Sequence, residues 1–230
     1  MLIILLPRMD GTGHLFEAFL KLVPAGNQTQ IVAYPARAYL SYEELEALVA
    51  RELPVSGEYI IVAESFSGPI ALRLASRALQ GDLQAVVLVS SFAYRPLGWI
   101  GSFFACLPLK LIFPLPLTDF ILRTLLLGGS VSRYELSRVR QVICQVRPQV
   151  LAGRLKEALT SEYGKHKVNA AIRVVAIFAE YDRVLGRRAR QSVAEVCPTS
   201  EVAIVPAPHL ALQVAPTAVL SALQNRGLLS

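Results

Sequence analysis

The sequence has few cysteines and no long uncharged apolar stretch. The three cysteines, Cys106, Cys144 and Cys197, have no metal-binding spacing and are odd in number, so we expect reduced thiols and a cytoplasmic protein. A membrane-spanning helix needs about 18 consecutive apolar residues. The nearest stretch, residues 107–127, is interrupted by charges and prolines. The first six residues are apolar but lack a basic leader, so we expect a strand there and no signal peptide.

Charged residues are also sparse, at 17% against 53% hydrophobic residues, and this balance excludes a disordered chain. The net charge of +6 is unevenly placed: residues 123–190 hold fourteen Lys or Arg and five Asp or Glu. This excess indicates either a solvated helical surface or a surface that attracts an anionic partner, such as a carboxylate substrate, an acidic acyl carrier or acidic lipid. We expect no nucleic-acid binding, because the basic stretch lacks interleaved aromatics and any known binding motif.

Six short apolar runs predict the strands of a parallel sheet. Most of them are continuous in Val, Ile, Leu and Ala, as expected for strands that are buried on both faces. Helical patterns separate them, and a capping box at residues 41–44 opens one of these helices. The alternation predicts an α/β fold, a doubly wound and mostly parallel six-stranded sheet. The predicted strands are residues 2–6, 29–33, 58–63, 84–90, 172–178 and 200–205, and the predicted helices are residues 15–23, 42–51, 66–79, 186–196 and 216–224.

One interval interrupts this alternation. Residues 93–170 contain no convincing strand, only helical segments rich in Leu, Phe, Ile and Pro. The interval is far longer than an ordinary connection between a strand and a helix. We therefore predict an α/β core formed by residues 1–92 and 171–230, with residues 93–170 inserted as a helical cap or lid.

A serine flanked by small residues follows the third predicted strand. Residues 61–69 read Ile-Val-Ala-Glu-Ser-Phe-Ser-Gly-Pro, with Ala63 and Ser67 in the places that glycine usually holds in a nucleophile elbow, G-x-S-x-G. In such an elbow the strand turns sharply into a helix, and larger side chains at those places would collide across the turn. The pattern predicts Ser65 as a nucleophile at the carboxyl end of the sheet, although ordinary Ser/Gly turns share it.

A nucleophilic serine needs a base, and the base needs an acid that orients it. His209 follows the last predicted strand and Asp182 follows the fifth, so both are expected at the same edge of the sheet as Ser65. Taken singly, each is also compatible with an ordinary surface loop. Glu180 is the alternative acid, but it lies nearer the strand, where its side chain is expected to point away.

The tetrahedral intermediate of acyl transfer also needs hydrogen-bond donors for its oxyanion. We expect one from the N–H of Phe66, which follows the nucleophile. The second should come from the loop after the first strand, Pro-Arg-Met-Asp-Gly-Thr-Gly at residues 7–13, and its best candidate is the N–H of Met9. A phosphate cradle is the alternative for this loop, although it lacks the lysine of a P-loop and the full glycine pattern of a dinucleotide fold.

With these motifs the chain resembles the α/β-hydrolase superfamily over nearly its whole length. It is most similar to bacterial esterase-type members with a Pro-Gly-x-Asp-Gly-Thr-Gly loop, an Ala-Glu-Ser-Phe-Ser-Gly elbow and a closing Pro-His-x-x-x-Gln-x-x-Pro. Here these are residues 7–13, 63–68 and 208–216, with Arg8 in place of the loop glycine. The resemblance implies Ser65 as nucleophile, His209 as base and Asp182 as its partner. The chain departs from the superfamily by starting at the strand that leads into this loop, so we expect a minimal core without the usual antiparallel N-terminal hairpin.

The activity that follows is a serine hydrolase of the carboxylesterase class, which cleaves esters of short to medium acyl chains through an acyl-serine intermediate. No cofactor or metal is expected. Three alternatives stay open: a thioesterase or esterase acting on acyl groups carried by an acidic carrier, an acyltransferase with the same triad, and a non-catalytic binding protein.

The apolar residues of the predicted cap bear on the substrate. Trp99, Phe103 and Phe104 are candidates for lining an acyl pocket, although such residues also pack a cap onto its core. Arg8 and His14 are the polar candidates for substrate contact at the mouth of the same cleft.

Overall fold

The protein forms one parallel sheet flanked by helices. Its computed structural model describes residues 1–77, 81–99, 101, 120, 122–128 and 132–229. The six strands lie in the order β2-β1-β3-β4-β5-β6, and every neighbouring pair is parallel. The predicted α/β fold is therefore confirmed. The strands are β1 Leu2–Leu6, β2 Gln28–Ile31, β3 Glu58–Glu64, β4 Asp82–Val89, β5 Arg173–Ala179 and β6 Glu201–Val205.

The inner strands β1, β3, β4 and β5 are mostly continuous apolar runs because both of their faces are covered. The edge strands β2 and β6 are partly exposed. In β1, Ile3 and Leu5 pack into one hydrophobic core while Ile4 and Leu6 pack into the other, and all four are fully buried. Successive side chains of a strand point to opposite faces, so a doubly covered strand has no position for a polar residue. This burial explains why the inner strands could be predicted from runs of Val, Ile, Leu and Ala.

Helices follow the strands on both faces. The capping box at the start of α2 is present, since the Glu44 N–H donates to Ser41 Oγ and the Ser41 N–H donates to Glu44 Oε2. Outside the segment between β4 and β5, the α-helices are α1 Glu17–Leu20, α2 Tyr42–Glu52, α3 Gly68–Ala75, α6 Arg187–Val196, α7 Ala211–Val214 and α8 Pro216–Gln224.

The first predicted helix is shorter than expected. Residues 15–23 were predicted to be one helix, whereas the structure has a 3-10 turn at His14–Phe16, followed by the four residues of α1. The chain then continues in i→i−3 bonds, from Leu22 N to Phe19 O and from Val23 N to Leu20 O. The residue before a proline is disfavoured in α-helical conformation, and Pro24 follows directly.

The described residues between β4 and β5 form helices and no strand. They include a π-helical turn at Leu122–Leu126, α4 Arg133–Cys144 and α5 Pro148–Thr160. Residues 102–119, the most apolar part of the predicted cap, lie outside the described residues. The division into core and cap stays a prediction.

The segment between β4 and β5 packs onto two loops at one edge of the sheet. Leu122, Leu127 and Val139 share a hydrophobic cluster with Leu15 and Leu210. A second cluster joins residues 146–151 to the loop after β1. No helix among the described residues is long and apolar enough to cross a membrane.

Candidate active site

The sequence candidates meet at the carboxyl edge of the sheet. The chain runs from β1 to β2 on one side and then returns to β3 on the other, so the strand order reverses at β1. In open parallel sheets, ligands bind in the crevice at such a reversal. The loop after β1 and the turn after β3 are therefore neighbours, and Asp182 and His209 follow β5 and β6 at the same edge.

Ser65 lies in a strained turn directly after β3. Its φ is +50°, in the left-handed region that non-glycine residues seldom adopt. Two contacts hold the turn: Ser91 Oγ donates to the Ser65 carbonyl at 2.5 Å, and Tyr42 Oη donates to the Phe66 carbonyl at 3.1 Å. Strain of this kind persists only where surrounding contacts enforce it, and it is frequent at functional sites.

The structure joins the three side chains that were predicted to act together. Ser65 Oγ lies 2.9 Å from His209 Nε2, and His209 Nδ1 lies 2.8 Å from Asp182 Oδ2. The side chains of His209 and Asp182 are each only 4% exposed. A buried imidazole with one nitrogen on a hydroxyl and the other on a carboxylate can accept a proton from that hydroxyl.

Local backbone orients the carboxylate of Asp182. Its Oδ1 accepts the N–H groups of Val184 and Leu185, both at 2.8 Å, which leaves Oδ2 for His209. Glu180, the alternative acid, is exposed and makes no contact with His209 among the described residues. The geometry favours Asp182.

The loop after β1 is built around the buried carboxylate of Asp10. Asp10 Oδ2 accepts from the N–H and the hydroxyl of Thr12, at 3.0 and 2.8 Å, and Oδ1 accepts from Arg8 Nε at 3.2 Å. Burial alone would raise the pKa of Asp10, but Arg8 and Thr12 hold it below its usual value. A buried carboxylate that already occupies these loop donors opposes a phosphate, so the phosphate-cradle alternative is not favoured.

The two candidate oxyanion donors lie in these neighbouring segments. The Phe66 N–H is in the first turn after β3, where backbone N–H groups have no acceptor within their own helix. No acceptor for the Met9 N–H occurs among the described residues, while the Met9 carbonyl accepts from Arg154.

Sequence reasoning missed three residues that hold the loop after β1. Ser67, interpreted only as a small residue, donates its hydroxyl to the Pro7 carbonyl and lies 2.6 Å from Tyr34 Oη. Arg154, counted among the cations of a basic surface, is instead fully buried and donates to carbonyls of the loop. Neither Tyr34 nor Arg154 belongs to a recognisable motif, so their roles had no signal in the sequence.

A second buried carboxylate lies directly before the nucleophile. Glu64 is 1% exposed, and its Oε2 accepts from Gln213 Nε2 at 3.2 Å. Burial raises the pKa of Glu64 to about 7, while the Arg8 guanidinium acts in the opposite direction. The glutamine of the closing motif therefore ties the helix after His209 to the strand end before Ser65, and its spacing in the motif was the available signal.

The remaining sequence candidates are more scattered. Arg8 is buried against Asp10 and near Glu64, whereas His14 and Trp99 are exposed, Trp99 to 82%. Phe103 and Phe104 lie outside the described residues. Substrate contact by these five residues stays a prediction.

The loop that carries His209 is braced by the segment between β4 and β5. The Leu210 N–H donates to the Leu126 carbonyl at 3.1 Å, and Leu210 is fully buried in the cluster with Leu122 and Leu127. The π-helical turn therefore fixes the backbone next to the imidazole.

Among the described residues, no group of three His, Cys, Asp or Glu side chains could hold a metal ion. Cys144 is exposed and Cys197 is buried, and both are free thiols.

Comparison with known proteins identifies solved structures that share this fold. No protein-family model matches the sequence, and no curated protein gives a significant match. Solved structures do match. A hydrolase from Oleispira antarctica is 14% identical with a TM-score of 0.76, covering 98% of this chain and 89% of that chain. A bromoperoxidase from Bacillus anthracis is 15% identical with a TM-score of 0.77, covering 97% and 90%. The chain has the fold of these α/β-hydrolases.

A thermophilic esterase from Thermogutta terrifontis is similar to the same extent. It is 15% identical with a TM-score of 0.75, and the match covers 100% of this chain and 91% of that chain. At these identities the likeness concerns the fold, and one fold supports different reactions. The reaction therefore has to be argued from the side chains at the sheet edge.

Proposed function

We propose that this protein is a serine hydrolase that cleaves carboxylic esters through an acyl-serine intermediate. The observation that carries the proposal is the continuous contact from Ser65 Oγ through the His209 ring to Asp182 Oδ2, at 2.9 and 2.8 Å. The strained turn at Ser65 supports it, because such turns expose a nucleophile at the top of an α/β-hydrolase sheet.

In the first step Ser65 Oγ attacks the ester carbonyl carbon, and His209 Nε2 takes the hydroxyl proton. Asp182 Oδ2 accepts the hydrogen bond from Nδ1, so the ring keeps the tautomer whose Nε2 is free to accept. The carboxylate also stabilises the imidazolium that forms.

The negative charge that develops on the carbonyl oxygen needs donors. We assign this role to the N–H groups of Phe66 and Met9, which lie on the adjacent segments after β3 and β1. An oxyanion donor of this kind contributes about 2.7–4 kcal/mol to the transition state.

Collapse of the intermediate expels the alcohol, which receives the proton from His209 Nε2. Water then attacks the acyl-serine while His209 again acts as base, and the carboxylic acid leaves as Ser65 recovers its proton. No step of this sequence calls for a cofactor or metal.

Esters of short to medium acyl chains are the proposed substrates, in line with the esterase among the similar structures. Thioesters on an acidic carrier are the second candidate. The observation that favours them is the set of exposed arginines that follow Asp182 at the same sheet edge, Arg183, Arg187 and Arg188.

The test measures hydrolysis of a chain-length series of p-nitrophenyl esters and matching thioesters. We expect a burst of p-nitrophenol equal to the enzyme concentration, and covalent labelling of Ser65 by a fluorophosphonate, detected by mass spectrometry. The Ser65→Ala variant should lose turnover by about 10⁶-fold and take no label. Ser221→Ala, which changes an exposed serine of α8, is the matched control and should retain full activity.

Absence of turnover on every ester and thioester, together with absence of label on Ser65, would contradict the proposal. Adding an alcohol distinguishes the alternatives: accumulation of a new ester in place of the free acid would identify an acyltransferase.

A further inference from the structure

Arg154 is a buried arginine with an unusual set of partners. It lies on α5, in the segment between β4 and β5, and its side chain is fully buried. Its Nη1 donates to the carbonyls of Met9 and Asp10 at 2.9 and 3.0 Å, and its Nη2 donates to the Pro35 carbonyl at 2.9 Å. A buried charge is costly unless hydrogen bonds satisfy it, and here backbone carbonyls accept from both Nη1 and Nη2.

These bonds fix the part of the loop that carries the proposed oxyanion donor. One nitrogen binds the carbonyls of two successive residues, so Met9 and Asp10 must turn their carbonyls toward the same point. The Met9 N–H is separated from its carbonyl by only two backbone torsions. Holding the carbonyl therefore restricts the direction in which that N–H can point.

The backbone of the loop is shaped to receive the guanidinium. Gly11 has a φ of +74°, and a Cβ at this position would lie 2.5 Å from Arg154 Nη1. The Gly11 carbonyl accepts the Tyr34 N–H at 2.7 Å, and the Arg154 guanidinium carbon lies 5.6 Å from the centre of the Tyr34 ring. The absence of a side chain at Gly11 thus permits the close approach of Arg154.

The same contacts connect the loop to the nucleophile turn. Tyr34 Oη lies 2.6 Å from Ser67 Oγ, and Ser67 donates to the Pro7 carbonyl at the start of the loop. The side chain of Met9 also packs in the cluster formed by Val150 and Leu151 of α5. The loop is therefore tied to the turn after β3 at one end and to α5 in its middle.

We propose that Arg154 is a positioning residue that holds the Met9 N–H where the oxyanion of the reaction develops. This inference rests on the proposed function. Arg154 touches neither Ser65 nor His209 and acts only through the loop. Through Arg154, the segment between β4 and β5 thereby orients a backbone group of the reacting centre.

The test compares Arg154→Met, Arg154→Lys and Arg147→Met. Arg147 is the matched control: it is the exposed arginine that precedes α5, and its Nη1 contacts the Arg37 carbonyl at 3.4 Å, outside the loop after β1. After titration of active sites, we expect Arg154→Met to lower kcat by about 10²-fold. KM should stay within about threefold, since the loss is specific to the transition state. Arg154→Lys should recover part of kcat, and Arg147→Met should match the wild type.

A second readout distinguishes positioning from a general loss of structure. A trifluoromethyl ketone forms a tetrahedral adduct on the serine, and its affinity should fall in Arg154→Met by the same factor as kcat. A purely structural role would lower the fraction of titratable sites and leave kcat per site and ketone affinity unchanged, and that result would overturn the inference. If Arg154→Met does not fold, Arg154→Lys carries the same comparison.

The amide NMR signals of Met9 and Gly11 separate this inference from the proposed function. They should shift in both Arg154 variants and not in Arg147→Met, whether or not the protein turns over an ester. If the signals shift but the wild type is inactive, the proposed hydrolase function is contradicted, whereas the contact between Arg154 and the loop is supported. Unshifted signals with an active wild type would contradict the role of Arg154 alone.

Discussion

Ser65 and the loop at residues 7–13 serve the same reacting carbonyl in the proposed mechanism, but they are held by different means. Ser65 lies in a turn where a buried strand ends, φ is +50°, and α3 begins three residues later. The side chains that brace this turn, Ser91 and Tyr42, lie 26 and 24 residues from the residues they contact. The loop has local bonds around Asp10, but it is also held by side chains that are much more distant in sequence. Arg154 lies 145 residues from Met9, and Ser67 lies 60 residues from Pro7.

This difference explains which substitutions should disrupt the turn at Ser65 and which should disrupt the loop at residues 7–13. A turn that depends on the close fit of small residues fails when that fit is broken. A loop fixed by remote hydrogen bonds fails when a distant partner is lost, even though nothing near the loop has changed. Asp182 is held locally, because Val184 and Leu185, whose N–H groups orient it, are its near neighbours in the chain.

Of three variants that test this comparison, Asp182→Asn is expected to have the largest effect, because it breaks a locally fixed group. The amide oxygen should keep the N–H groups of Val184 and Leu185, so the NH₂ group turns toward His209 Nδ1. The imidazole then places its proton on Nε2 and cannot accept from Ser65, so kcat should fall by about 10⁴-fold, or about 5.5 kcal/mol. Steady-state ester hydrolysis measures this. Glu180→Gln is the control, and a comparable loss in that variant would reassign the acid.

A smaller effect is expected from Gly68→Ala, which tests the steric fit of the turn. A Cβ at Gly68 would overlap the Ser91 hydroxyl and lie 2.5 Å from the Phe92 carbonyl oxygen, so the backbone must shift. Overpacking of this kind should lower the free energy of unfolding by about 3 kcal/mol, measured by urea denaturation. Gly186→Ala, with nothing within 4 Å of the added Cβ, should cost little. Equal losses in the two variants would show that the turn tolerates crowding.

The smallest of the three effects concerns Glu64, which lies between the turn at Ser65 and Arg8 of the loop after β1. Burial raises its folded-state pKa to about 7 from 4.5, so the folded protein holds the proton more tightly than the unfolded chain. Its stabilising contribution is therefore complete below about pH 4.5 and is lost as pH rises through about 7. Glu64→Gln should remove this dependence.

Urea denaturation at pH 5 and pH 8 measures the change. Relative to Glu64→Gln, the wild type should lose about 2 kcal/mol of unfolding free energy between these two values. Glu58→Gln, an exposed carboxylate at the other end of β3, should behave like the wild type at both pH values. A difference between wild type and Glu64→Gln that does not vary with pH would contradict the raised pKa.

The strands, the capping box at Ser41 and the meeting of Ser65, Asp182 and His209 could be predicted from the sequence because each has a local signature. A strand that is buried on both faces consists of consecutive apolar residues, as in residues 2–6. Parallel strands end at the same edge of the sheet, so a polar residue that follows a strand is expected at that edge. The division of residues 15–23 into a 3-10 turn and the short helix α1 had no such signature.

The residues that hold the loop after β1 could not be predicted, because they have no local signature in the sequence. Nothing near Arg154 in the chain distinguishes it from the exposed arginines of the same basic stretch, and only the tertiary fold brings it to Met9. Ser67 stands where small residues are required, and its hydroxyl gains a partner only because β1 lies beside β3. The ion pair of Arg8 with Asp10, two residues away, had no signal in the sequence either, and substrate contact by Arg8 stays a prediction.

The hydrogen bond from the Leu210 N–H to the Leu126 carbonyl has a consequence for protein engineering. The predicted cap at residues 93–170 invites grafting from one protein of this fold to another in order to alter selectivity. A graft without an acceptor at the place of Leu126 would release the backbone beside His209, and one without Arg154 would release the loop after β1. A chimera of this kind should therefore keep both the acceptor at position 126 and the arginine at position 154 when the rest of the segment is replaced.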